Sequence, residues 1–183
     1  TMRRMLLNII NLVVQFLGIQ VISRKNLNFL TVTSSPNPID LGHRFNIELT
    51  SVLHIGGHLA EEAEIYKKAS IERVTFIEGD PEMFKTMNLK LHKYPGYSGL
   101  EALLSDKEEE ISFYRASNEG ASSSLLQPAR HSVERPDISF REPIILNSKR
   151  LDSLSMAQYD LIVIDVQGAE MMVLRGGSQG LIK

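Results

Sequence analysis

Two carboxylates that follow apolar runs are the residues of this chain best placed to do chemistry. Glu78 follows Arg73-Val74-Thr75-Phe76-Ile77, and Asp165 follows Asp160-Leu161-Ile162-Val163-Ile164. A third run, Ser51-Val52-Leu53-His54-Ile55, ends in Gly56-Gly57-His58-Leu59-Ala60. Paired glycines let a backbone turn sharply and approach a ligand closely, although a glycine pair alone is also what a simple turn looks like. Glu78 lies 22 residues beyond Gly56, close to the spacing of about 20 at which a carboxylate in a nucleotide-binding βαβ unit takes ribose hydroxyls. Asp165, Glu170, His58 and His131 are the candidates for a general base. Each reading has a plainer alternative. Glu78 could be a solvated helix acid, Asp165 a cap for a helix that begins near Gln167, and His131 a solvated residue of an arginine-flanked loop. Ser122-Ser123-Ser124 could equally be linker, and Asp80 reads as a helix N-cap rather than a ligand.

The elements that must hold these residues follow from the spacing of apolar positions. The three runs are β-branched and nearly continuous, the pattern of parallel strands covered on both faces. Between the first two, Glu61 to Ala69 starts with acids and ends with Lys67-Lys68, an order that complements a helix dipole and completes a βαβ unit. A second helix is predicted from Pro81 to about His92, with proline suited to its first turn. Tyr97 to Leu104 is a weaker third strand. Residues 111–115 and 144–151 read as further strands around a polar loop, residues 117–143, long enough to be functional or mobile. In open α/β sheets ligands collect at the carboxyl ends of the strands, where Gly56, Glu78 and Asp165 all fall.

Charge narrows the ligand. Glu61, Glu62 and Glu64 crowd the helix terminus that would have to receive a pyrophosphate, and like charges at short range oppose it. S-adenosylmethionine fits better: it offers a ribose, a cationic sulfonium and an ammonium, and has no phosphate. NAD and ATP are correspondingly demoted. The five histidines, His43, His54, His58, His92 and His131, form no helix-spaced pair with a carboxylate, so no metal site is expected.

Composition sets outer limits. The chain has 183 residues, 43% hydrophobic and 23% charged, the balance of one ordinary globular domain. It contains no cysteine, which removes thiolate catalysis and disulfide scaffolds and makes a cytoplasmic location the expectation. A net charge of −2 gives no field to attract nucleic acid. Residues 1–45 are expected to form an N-terminal amphipathic helix and lead-in, and residues 46–183 the main domain. Met5 to Ile22 carries no charge for 18 residues, a length at which a membrane helix must be considered. Yet Asn8, Asn11 and Gln15 fall within about 60° of one another on a helix, opposite Leu6, Ile9, Val13 and Leu17. A helix packed on the domain is the first reading, with peripheral membrane contact through residues 5–22 or a signal anchor as alternatives.

Several segments together resemble the FkbM-type methyltransferases. They are Val52 to His58, Phe76 to Pro81, Ser122 to Leu125 with Pro128, His131 and Pro136, and Arg150 to Leu154. The most specific is Ile164-Asp165-Val166-Gln167-Gly168-Ala169-Glu170, with Leu174-Arg175-Gly176-Gly177 behind it. His54 stands where many members place an acid, and Ala60 where a third glycine is common. The resemblance implies an α/β, Rossmann-like three-layer sandwich of the class I methyltransferase type with a mainly parallel sheet. It implies S-adenosylmethionine as donor and O-methylation of a sugar, glycolipid or secondary-metabolite hydroxyl, so the partner is a small-molecule or glycan acceptor. Gly56, Gly57 and His58 would line the donor loop, Glu78 would hold ribose, Ser105 and Asp106 would lie beside adenine, and Asp165 and Glu170 would face the methyl group and acceptor. A nucleotide-binding module and a non-catalytic fragment are the rival functions. The resemblance also implies about three further strands, leaving residues 161–164 with an open edge through which the chain could self-associate.

Overall fold

The computed structural model describes Gly42 and residues 46–117, 123–126 and 139–179. The predicted helix over residues 5–22 and His131 lie outside them. Contacts group the chain into two units, Thr1–Asn46 and Ile47–Lys183, and every element below belongs to the second. Among the described residues no helix is long and apolar enough to cross a membrane.

Among the described residues, seven strands fall into two sheets. In chain order they are β1 (Ser51–Ile55), β2 (Arg73–Glu78), β3 (Tyr97–Glu101), β4 (Leu103–Leu104), β5 (Glu110–Phe113), β6 (Ile144–Lys149) and β7 (Leu161–Ile164). Four of them form the main sheet, all parallel, in the order β3-β2-β1-β7. All five residues of β1 are buried, as its unbroken apolar character requires of a central strand. Side chains alternate between two cores. Val52, Val74 and Phe76 pack with Tyr66 of α1 (Ala63–Lys68) and with Met87 and Leu91 of α2 (Pro81–Leu91). Leu53, Ile55 and Ile77 face the other way, onto Leu104, Leu151 and Val173 of α3 (Glu170–Gly176). Helices on both faces of a parallel sheet make this the Rossmann-like α/β architecture that the sequence implies.

Asp80 is the N-cap of α2, its Oδ1 accepting from the Glu82 N–H at 2.8 Å, with Pro81 in the first turn. Met87 and Leu91, one turn apart, form its buried face. Fully burying side chains of that kind is worth about 1.5–3 kcal/mol each.

The second sheet has the order β4-β6-β5. β6 runs parallel to β4 and antiparallel to β5. Here the structure corrects the expected third strand. Residues 97–104 divide at Ala102, whose N–H still reaches the Glu78 carbonyl at 2.9 Å, after which Leu103 enters the second sheet. Gly79 permits the turn, because a Cβ there would come within 2.8 Å of Leu103 Cδ1. Other boundaries move for local reasons. α1 begins at Ala63 rather than Glu61, whose carboxylate is engaged in the preceding loop, and β6 ends at Lys149, before a 3₁₀ turn at Leu151–Ser153. β7 lies beside β1, and among the described residues it pairs with no other strand.

Candidate functional site

The loops after β1, β2 and β7 meet at the carboxyl ends of the strands. The Asp165 N–H donates to the Ile55 carbonyl at 2.8 Å, carrying the β7–β1 ladder one residue further. Gly56 then turns away with φ +89°, and a Cβ on it would sit 1.8 Å from the Asp165 carbonyl oxygen. Only glycine fits both demands. The Gly56 and Gly57 N–H groups both donate to the Ile77 carbonyl at 2.9 Å, which ties this turn to β2.

The rest of the loop is clamped by charge. The Glu61 carboxylate meets His58 Nδ1 at 2.7 Å and accepts from the Leu59 N–H at 3.1 Å. Lys90 of α2 donates to the carbonyls of Leu59 and Ala60, each at 2.8 Å. Burial alone would raise the Glu61 carboxyl, but the His58 hydrogen bond and nearby backbone N–H groups override it and hold its pKa below the usual value. His58 and Ala60, at φ 43° and 50°, are non-glycine residues held in left-handed conformations, a strain that such clamping must sustain.

Glu78 joins two loops through its carboxylate. Oε2 accepts from the His58 N–H and Oε1 from the Asp80 N–H, both at 2.7 Å. Burial pushes its pKa up despite these bonds. Each carboxylate oxygen has about two lone-pair sites, of which the described residues use one per oxygen. Asp80 is gripped in turn by Arg115, whose Nε and Nη2 donate to Oδ2 and Oδ1 at 2.7 and 2.6 Å.

These groups surround a cavity of about 370 Å³, inside the roughly 300–1,000 Å³ range of small-molecule sites. Glu61, Glu62, Glu78, Asp80 and Asp165 line it. Opposite them stand apolar side chains from the second sheet and the segment beside it, among them Leu103, Phe113 and Leu125. A carboxylate-rich lining favours a ligand with positive charge and no phosphate. Glu62 and Asp165 both have raised pKa values, burial being the main cause. The Asp165 carboxylate accepts from Gln167 Nε2 at 3.1 Å and caps no helix, since α3 starts at Glu170 behind Ala169.

The predicted site residues divide into two groups. Gly56, His58, Glu78 and Asp165 line the cavity. Gly57 lies behind them, where a Cβ would meet Met87 Sδ at 2.6 Å. Glu170 turns back on its own loop, Oε1 accepting from Val166 and Gly168 N–H groups at 3.2 and 3.1 Å, so it shapes the turn after Asp165. Ser105 and Asp106 are absent from the cavity lining, because the third strand ends at Glu101 and Ala102-Leu103-Leu104 occupy the place beside the cavity. Ser105 is instead wholly buried, its carbonyl so close to Gly176 that a Cβ there would approach to 2.1 Å. Among the described residues no group of three or more acidic or histidine side chains is arranged to hold a metal ion.

Four further residues line or brace the site, and two of them, Arg115 and Tyr66, carried no assigned role in the sequence. Ser123 and Ser124 form part of the cavity wall, Ser124 pairing with Tyr114. Arg115 carries the link to Asp80. Tyr66 hydrogen-bonds His54 Nδ1 at 2.8 Å while His54 stacks on Phe76, ring centroids 5.2 Å apart.

His54 lines the cavity but is only 2% exposed. Burial lowers its pKa to about 4, against an attraction to Asp165 that would raise it. Because the folded pKa lies below the unfolded one, stability is full above about pH 6.5 and declines as pH falls toward 4. A shift from 6.5 to about 4 corresponds to a loss on the order of 3 kcal/mol. His54→Gln keeps a partner for Tyr66 and should flatten that decline. Urea denaturation at pH 7 and 4.5 checks this: equal losses in both proteins would show that His54 is not the group titrating.

A parallel α/β sheet with a ligand-sized cavity at its carboxyl ends defines a Rossmann-like binding domain. Comparison with known proteins makes the class specific. The methyltransferase FkbM domain matches residues 54–183, and the chain belongs to that family. It is also 34% identical over 93 residues to the 2-O-methyltransferase NoeI of Sinorhizobium fredii (strain NBRC 101917 / NGR234), a match covering 45% of this chain and 38% of that protein.

Proposed function

We propose that the chain is an S-adenosylmethionine-dependent O-methyltransferase whose acceptor is a hydroxyl of a sugar, glycolipid or secondary metabolite. One observation carries the reading. Glu78, fixed through both oxygens by backbone N–H groups, stands in a carboxylate-lined cavity at the strand ends, a setting that suits ribose and a cationic, phosphate-free donor. The family supports methyl transfer, and the relative's name supports oxygen as the acceptor atom.

Bound S-adenosylmethionine would supply an electrophilic methyl carbon. The protein's tasks are to align the acceptor oxygen with that carbon and to take the hydroxyl proton. Alignment contributes most, since a fixed in-line geometry removes the entropy of encounter. Glu78 would accept from the ribose hydroxyls, and the Gly56 turn would let the backbone approach the donor. Asp165 receives the proton, because its carboxylate lines the cavity whereas Glu170 is committed to the Val166 and Gly168 N–H groups.

Titration calorimetry with S-adenosylmethionine and S-adenosylhomocysteine tests the donor, with NAD as the competing ligand. Binding of NAD but of neither sulfur compound would overturn the reading. Glu78→Gln should weaken S-adenosylhomocysteine by about 1–3 kcal/mol, the range for a hydrogen bond to a charged group. An unchanged affinity in a folded variant would remove Glu78 from the ribose.

A further inference from the structure

Arg115 belongs to the second sheet's side of the molecule, between the bridges Tyr114–Ser124 and Ala116–Phe140. Its guanidinium nevertheless reaches the loop after β2. Beyond the two bonds to Asp80, its Nη1 donates to Glu82 Oε1 at 3.0 Å. The Asp80 side chain is 3% exposed and that of Arg115 16%. Capping α2 requires only the Asp80 Oδ1 contact to the Glu82 N–H, so a buried fork is more than the helix needs. Buried ion pairs add little net stability against their desolvation, but a bidentate pair fixes direction. What it fixes here is the residue whose N–H holds Glu78 Oε1.

The other end of the connection is the cavity wall. The Tyr114 and Ser124 backbones exchange hydrogen bonds of 2.9 and 3.1 Å, and Ser123 Oγ accepts from the Ala116 N–H at 3.0 Å. Leu125 packs with Leu103, Phe113 and Ala169. Arg115 therefore sits where the wall and the loop after β2 are fastened together.

We propose that Arg115 is a positioning residue for donor recognition, aiming Glu78 through Asp80 and making ribose binding depend on the wall that carries Ser123 to Leu125. This rests on the reading of the cavity as a donor site. A lysine cannot replace it, since an ammonium is a point charge without the planar fork.

The test uses Arg115→Gln and Arg115→Lys in the full chain. Without ligand, amide hydrogen exchange at Asp80 and His58 should accelerate by about tenfold or more in both variants, while Ile55 and Phe76 in the sheet exchange as before. Unchanged exchange at Asp80 and His58 would overturn the proposal, and so would equal acceleration throughout the sheet. With ligand, Arg115→Gln should weaken S-adenosylhomocysteine about tenfold in the wild-type background and have no added effect in Glu78→Gln. Additive losses would mean that Arg115 does not act through Glu78. In turnover, Arg115→Gln should raise the donor KM while kcat changes by less than about twofold. A wild-type chain that fails to bind S-adenosylhomocysteine would defeat the donor assignment, and the ligand-free exchange would still decide the role of Arg115.

Discussion

Gly56→Ala is expected to destabilise the domain by roughly 2–6 kcal/mol, combining about 1–3 for overpacking with about 1–3 for a side chain forced into a sparsely populated backbone region. The steric part is severe because the obstacle is the backbone of Asp165, 1.8 Å from the new Cβ, and backbone cannot rotate aside. Relief requires β7 to separate from β1 at the bond between the Asp165 N–H and the Ile55 carbonyl. That motion would displace Asp165 and open the cavity. A domain stable by about 5–15 kcal/mol would be left marginal by the upper part of this range. Gly168→Ala is the control. Gly168 has φ +100°, but among the described residues its Cβ would meet only Leu126 Cδ1, at 3.3 Å, so the conformational cost of about 1–3 kcal/mol should appear nearly alone. Chemical denaturation of the two variants separates the contributions. If Gly56→Ala costs no more than Gly168→Ala, the contact between the strand ends does not constrain the fold.

The contrast between these glycines shows which parts of the molecule sequence reasoning could reach. β1 and β2 were legible because burial on both faces leaves them largely apolar, and β7, whose residues are only partly buried, kept enough of that character to be read. The short second sheet is half exposed, and its boundaries depend on contacts rather than composition. The break at Ala102 comes from how Leu103 seats against Gly79, a fit between β4 and the turn after β2 that no window along the chain contains. For the same reason Ser105 and Asp106, which the resemblance would set beside adenine, lie outside the cavity lining. Glu78 and Asp165 were legible as strand-end carboxylates, since topology alone puts such positions at one edge. Arg115 was not, because its partner Asp80 lies 35 residues away and arginine in a polar stretch is ordinarily solvated. Glu170 is an intermediate case. Its bonds to Val166 and Gly168 are local, and the preference of acids for a helix's first turn was available as a sign that its carboxylate serves the loop.

Asp165→Asn should lower kcat by about 10²- to 10⁴-fold, the usual contribution of a general base, while donor affinity changes by less than about threefold. The amide preserves size and the acceptor for Gln167 Nε2, so geometry is retained and proton acceptance is lost. Wild-type turnover should rise with pH through a value above the ordinary carboxylate range, because burial raises the Asp165 pKa, and this limb should vanish in the variant. Stability should move the other way. A carboxyl whose folded pKa exceeds its unfolded value takes up a proton more readily when folded, so its stabilising contribution is present at low pH and is lost as pH rises through the folded pKa. At neutral pH the wild-type protein therefore carries an ionised group that its surroundings disfavour. Asn removes that burden, and the variant should melt at a higher temperature at pH 7, with the gap closing below about pH 4, where the wild-type carboxyl is also neutral. Melting curves and pH–rate profiles on the same preparations give both measurements. A variant that loses activity and stability together would identify Asp165 as a structural carboxylate, whereas one that is inactive and more stable would show a charge held at the cavity against its own solvation for the sake of the reaction.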